Sequence, residues 1–375
     1  MVDITQTLKQ ELFEMDKKRS LIVSCASISS GGAERVLSIL SQPLADRYDD
    51  VTYVMWVEAP IFYHIDSRVR LVSIEKEIGS KNELKRMKWF RSFIKREKPD
   101  LILSFLEPWN IRVLVSTMGL DVKTIVAERN DPHGVNKYWI MDQMEKLIYR
   151  RADMIFVQTE TIRAFFDGPL QERTRVIYNP VNIPEELVGK ALVTPKKKRI
   201  VSVARLKTQK RHDMLIRAFA KFYKSHPDYT LTIYGNGPLM NQLKQLAASL
   251  GLGDVISIPG ASKTIHQDIL DAEMMCLVST REGMSNAMIE AMCLGLPCIC
   301  TKVSGAIDLI ENDKNGILIE VDDEVALYKQ MCRVVENKDF AKALGTEASH
   351  LYEKLRVDKI SKQWIEHIDL MMNKK

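Results

Sequence analysis

A chain of 375 residues, 46% hydrophobic and 27% charged, exceeds one ordinary core and fits two α/β domains of nearly equal size. Its net charge of +5 is modest for that length and does not by itself imply nucleic acid, and no apolar run approaches the roughly 18 to 20 residues of a membrane span. The first twenty residues mix acids with bases and lack an apolar h-region, so neither a secretory nor a transit signal is expected and the expected location is the cytoplasm.

Short β-rich runs alternate with helical patterns, the signature of repeated βαβ units and parallel sheets. Strands are predicted in the first half at 21–27, 51–57, 101–105, 123–127, 154–158 and 175–178. Directly after the first of these, in SISSGGAERVL, Gly31 and Gly32 permit a tight turn and close approach of a ligand to backbone N–H groups. A plain turn before a helix is the competing reading. The segment is not GxGxxG, and GxxxxGK[ST] is absent, so the dinucleotide and P-loop fingerprints are missing.

Eight basic residues (Lys81, Lys85, Arg86, Lys88, Arg91, Lys95, Arg96, Lys98) stand against Glu83 and Glu97 in KNELKRMKWFRSFIKREK, a local charge of +6. With Leu84, Met87, Trp89, Phe90, Phe93 and Ile94 interleaved, it reads as a basic amphipathic helix, either resting on anionic lipid headgroups or packed on a sheet as a solvated outer helix. After the strand at 123–127, AERNDPHG gathers Glu128, Arg129, Asn130, Asp131 and His133 into a polar loop suited to substrate binding or acid/base work. Three prolines and a terminal Lys cluster across residues 179–198 then break the pattern as a linker would.

Strands are expected in the second half at 199–204, 229–234, 255–258, 274–278, 297–300 and 316–320. Arg205 and Lys210 follow the first of these, at a strand C-terminus where cations can neutralise a diphosphate. In YGNGPLM, Gly235 and Gly237 with Pro238 form a sharp strand-to-helix junction, either a structural turn or a cleft wall. In REGMSNAMIEAMCLGLPCI, Glu282 lies in a loop, Ser285 or Asn286 caps a helix, and Glu290 falls in its second turn. That geometry can hold a phosphate on backbone N–H groups and sugar hydroxyls on the carboxylates. The six cysteines (Cys25, Cys276, Cys293, Cys298, Cys300, Cys332) have no zinc spacing and read as reduced core thiols; DxD, HExxH and GxSxG are absent.

The order of these segments, from SGGAERV through VARLKTQKR and YGNGP to EGMSNAMIEAMCLGLPCI and NGILIEVDD, resembles glycosyltransferase family four, the retaining GT-B enzymes of glycosyl transferases group 1. The resemblance implies two Rossmann-like domains facing across a cleft: an acceptor-binding domain over 1–185, a nucleotide-sugar donor domain over 186–357, and a last helix at about 358–375 that crosses back to the first. It implies that Glu282 contacts the donor sugar, that Gly283, Met284, Ser285 and Asn286 surround sugar and diphosphate, and that Glu290 binds the ribose. Arg205 and Lys210 match the basic pair on the diphosphate, Gly31 and Gly32 the loop near the distal phosphate and acceptor, and Gly235 the wall of the donor site. The chain departs from the family where many members carry a His; here Glu128, Arg129 and Asn130 stand on the acceptor side or donor-sugar loop.

The function expected on this resemblance is retaining transfer of a hexose or N-acetylhexosamine from a nucleotide-diphosphate sugar, UDP-linked, to a polyprenyl-linked or nascent glycan acceptor. The nucleotide sugar acts as co-substrate, and neither a metal nor another cofactor is expected. The expected partners are that donor, the lipid-linked or oligosaccharide acceptor and an anionic membrane at its inner face. Nucleic acid is not expected, because basic and aromatic residues form no stacking platform. The alternatives are a transferase with a soluble acceptor and a nucleotide-sugar epimerase of the same fold.

Overall fold

A computed structural model of the chain describes residues 19–29, 31–130 and 139–373. Asp131 and His133 of the polar loop therefore lie outside the described residues, as do residues 1–18 and the last two of the predicted final helix.

Two wholly parallel sheets form. The first contains β1 (Ser20–Cys25), β2 (Asp50–Met55), β3 (Arg70–Ser73), β4 (Leu101–Phe105), β5 (Lys123–Ala127), β6 (Met154–Val157) and β7 (Thr174–Val176), in the order β3-β2-β1-β4-β5-β6-β7. The second contains β8 (Arg199–Val203), β9 (Thr230–Tyr234), β10 (Ile256–Gly260), β11 (Met274–Leu277), β12 (Cys298–Thr301) and β13 (Ile317–Ile319), in the order β10-β9-β8-β11-β12-β13. The central strands are apolar at successive positions, as burial on both faces of a parallel sheet demands. Only β3 departs from the predicted strands: it is four residues long, and its first two residues are exposed.

Each sheet reverses its direction of growth once, between β1 and β4 and between β8 and β11. Helices on either side of such a reversal leave a crevice beyond the strand C-termini, where ligands of open α/β sheets bind. The segments after β1, β8 and β11 are those that carry Gly31 and Gly32, Arg205 and Lys210, and Glu282. Topology thus brings together three motifs that lie far apart in sequence.

Helix α1 (Gly32–Arg47) follows β1, and helix α2 (Glu83–Glu97) precedes β4. α2 buries Phe90, Phe93 and Ile94 and exposes Lys85, Lys88 and Lys95. Two of its cations turn inward: Arg86 pairs with Glu75 at 3.2 Å, and Arg91 donates to the Ser116 and Met118 carbonyls at 2.8 and 2.7 Å. The last helix, α3 (Val357–Met372), packs on the first domain. There Trp364 stacks on Phe105 at 5.4 Å and meets Phe156 edge-on at 4.9 Å. Asp369 of the same helix takes Arg47 at 2.9 Å and the Tyr48 hydroxyl at 3.0 Å.

All six cysteines are free thiols, and all but Cys332 are buried. Among the described residues no helix is long and apolar enough to cross a membrane.

Candidate active site

Beyond β8 the chain turns through a single 3-10 turn, Thr208–Lys210, that brings Lys210 inward while Arg205 stays exposed. The Lys210 ammonium forms an ion pair with Glu282, and the Ser279 hydroxyl donates to the same carboxylate at 3.1 Å. Burial, followed by the charges of Arg205 and Lys207, lowers the Lys210 ammonium to about 7. The touching Glu282 carboxylate works in the opposite sense, as a counter-charge favouring the protonated form. The loops after β8 and β11 are stitched together by the Thr280 N–H, which donates to the Gln209 carbonyl at 2.8 Å.

Helix α4 (Asn286–Cys293) opens on Ser285, whose hydroxyl accepts from the Met288 N–H at 3.4 Å. Glu290 follows in its second turn and is 6% exposed. One of its oxygens pairs with Arg35 of α1, and the other lies 3.1 Å from His266 Nε2. The rest of the segment faces the first domain. Asn179 donates from its backbone to the Met284 sulfur at 3.3 Å, and from its side chain to the Met284 carbonyl at 3.3 Å and to Asn286 Oδ1 at 2.8 Å. At Gly283 a Cβ would stand 2.8 Å from both the Arg129 carbonyl and Gln158 Oε1, so only glycine admits this approach of the two domains.

Glu128 and Arg129 are turned inward. Glu128, 3% exposed, accepts from the Arg129 and Asn130 N–H groups at 3.0 and 2.9 Å and from the Tyr149 hydroxyl at 3.0 Å. Burial raises its carboxyl to about 7. The Arg129 guanidinium lies 5.5 Å from the centre of the Trp364 ring and donates to Asn179 Oδ1. Through Asn179 it is linked to the second domain. Asn130 is exposed.

Gly31 has extended backbone, φ −177°, so the expected tight turn is not what requires glycine there. A Cβ on Gly31 would meet the flexible Glu34 carboxyl and one on Gly32 would stand 3.7 Å from the Asn286 amide, so packing here demands glycine at neither position. Gly235, at φ +143°, does need glycine: a Cβ would run into the Ala204 carbonyl, just before Arg205. The YGNGP junction is therefore a buttress under the Arg205 segment, with the Leu206 N–H donating to the Asn236 carbonyl at 2.9 Å.

Sequence reasoning missed Arg35, Asn179 and His266. Arg35 lies one turn into the helix that follows the glycine pair, a position that could have flagged it. Asn179 reads as the start of a linker, and nothing local marks His266.

Residues 30–184 match the family described as Glycosyltransferase Family 4, and residues 185–351 the family described as Glycosyl transferases group 1. A Campylobacter jejuni GalNAc-alpha-(1->4)-GalNAc-alpha-(1->3)-diNAcBac-PP-undecaprenol alpha-1,4-N-acetyl-D-galactosaminyltransferase is 25% identical over 93% of this chain and 98% of its own length. A second protein of that organism, an N-acetylgalactosamine-N,N'-diacetylbacillosaminyl-diphospho-undecaprenol 4-alpha-N-acetylgalactosaminyltransferase, is 27% identical over 86% of this chain and 92% of its own. Among solved structures, Anabaena HepE in complex with UDP and glucose superposes with a TM-score of 0.77 at 18% identity, covering 94% of this chain and 99% of that one. The fold is GT-B.

Proposed function

The chain belongs to the glycosyltransferases of family 4 and group 1, and on that premise we propose that it transfers an N-acetylhexosamine or hexose, with retention, from a UDP-sugar to a polyprenyl-diphosphate-linked glycan. The observation that carries this reading is the largely buried Lys210–Glu282 pair at the reversal of the second sheet, with Glu290 in the second turn of the Ser-capped helix that follows. Both Campylobacter relatives carry undecaprenol-linked acceptors in their names, which supports the lipid-linked acceptor.

In this reading Glu290 holds the ribose hydroxyls, Glu282 holds a hydroxyl of the transferred sugar, and Arg205 and Lys210 sit on the diphosphate. The bond between the anomeric carbon and the diphosphate oxygen breaks as the acceptor hydroxyl oxygen bonds to that carbon on the same face. The hydroxyl proton passes to the departing diphosphate oxygen. No side chain has to carry the proton; the protein positions the reactants and stabilises the negative charge that grows on the leaving group. Arg205 and Lys210 supply that stabilisation, so transfer is expected to persist in a chelator. The acceptor's lipid places the reaction at the inner face of a membrane, with the exposed lysines of α2 toward anionic headgroups.

The test incubates the purified protein with UDP-GalNAc or UDP-GlcNAc and an undecaprenyl-diphosphate-linked glycan, and assigns the product linkage by NMR. An α-linked product that survives EDTA is expected. A β-linked product, or a donor epimerised without any acceptor, would refute the proposal.

A further inference from the structure

The partners of Glu290 do not all belong to its own domain. Arg35 reaches it from the first turn of α1, across the cleft, while His266 approaches from within the second domain. Between them they take both carboxylate oxygens. At 6% exposure Glu290 offers no open side to a pair of sugar hydroxyls, so one partner must withdraw before a ribose can enter.

Arg35 is the one able to withdraw. Its side chain is 24% exposed, and it is carried by the first domain, so any opening of the cleft would draw it away from α4. It is also tethered to the interdomain segment, donating to the Asn182 carbonyl at 3.3 Å. Its neighbour Glu34 folds over Gly31 and lies within the field of Arg205. The first turn of α1 therefore presents a cation to the carboxylate assigned to ribose and a carboxylate toward the cation assigned to diphosphate. In the first of these subsites the guanidinium offers hydrogen-bond donors as ribose hydroxyls would, and in the second Glu34 offers negative charge as a diphosphate would.

We propose that Arg35 is a donor-displaced latch: it closes the cleft on Glu290, and an incoming nucleoside diphosphate must exchange its ribose for the guanidinium. This rests on the reading that Glu290 takes the ribose. Withdrawal of Arg35 leaves Glu290 with His266 and one oxygen open to the ribose, so the guanidinium and the nucleotide compete for the same carboxylate. The closed fraction also reduces the apparent donor affinity in proportion to the time the latch is shut.

The test titrates UDP, with GDP as a second base, into wild type, Arg35→Met, Arg35→Gln and Glu290→Gln by calorimetry, with small-angle scattering on the same samples. Two Arg35 variants are used so that poor folding of one leaves the other. Arg35→Met or Arg35→Gln is expected to bind UDP about tenfold more tightly. Its radius of gyration without nucleotide should exceed that of wild type, and Glu290→Gln should bind more weakly. Unchanged or weakened UDP binding on loss of Arg35, while Glu290→Gln still weakens it, would overturn the latch alone. Glu290→Gln binding UDP as wild type does would overturn the ribose assignment, and the competition with it.

Discussion

Lys210 and Glu282 are each nearly buried and each other's counter-charge, so replacing one strands the other. Lys210→Met is expected to lower kcat by about 10²- to 10³-fold and to lower the melting temperature as well. The double variant Lys210→Met/Glu282→Gln should recover the melting temperature but not the activity. Recovery of both would show the pair to be structural. Glu128 makes a different prediction, because its carboxyl is raised to about 7 from an ordinary value of 4.5. The folded protein then holds that proton more tightly than the unfolded chain does. Stability therefore falls as pH rises from about 4.5 to about 7 and levels off above, a loss on the order of 3 kcal/mol for this group. Urea unfolding of Glu128→Gln between pH 5 and 8 should lack that part of the decline; equal slopes in the two proteins would count against it.

At the scale of elements, the strands were legible because parallel strands buried on both faces read as unbroken apolar runs, as in LILSF of β4. β3 was not, because RLVS is short and half exposed at a sheet edge. The Lys210, Glu282 and Glu290 motifs were legible because each sits where a strand ends or a helix begins, positions that local sequence marks. Their partners were not. Arg35 meets Glu290 and Asn179 meets Asn286 only because two domains come together, and no spacing within one segment encodes that. α2 shows a further gap between composition and structure. Eight cations were counted, yet Arg86 and Arg91 are bound within the first domain; six stay exposed, and of these Lys85, Lys88 and Lys95 are the lysines on the helix itself. Replacing these three with Gln is expected to cut sedimentation with anionic phosphatidylglycerol vesicles at low salt several-fold. Wild-type sedimentation by the triple variant would remove the membrane role of this helix.

Across the whole molecule, the first domain is completed by the last helix. Trp364 sits between Phe105 and Phe156 and under the Arg129 guanidinium, and Arg129 in turn holds Asn179 against Met284 and Asn286. Trp364→Ala should therefore cost about 3–5 kcal/mol of first-domain stability. It should also weaken nucleotide binding some distance away, through Arg129 and Asn179. Calorimetric melting with and without UDP separates the two effects, and an unchanged UDP affinity would show that the connection carries nothing. The same helix sets an order of events on the ribosome. Residues Ser20 to Val176 are translated before the helix that carries Trp364, and the six strands of the second sheet lie between them, so the groove that takes this ring stays unfilled until those strands have been made. The first sheet can therefore complete its packing only after the second sheet has been made, and its aromatic groove is expected to be open to chaperones in that interval.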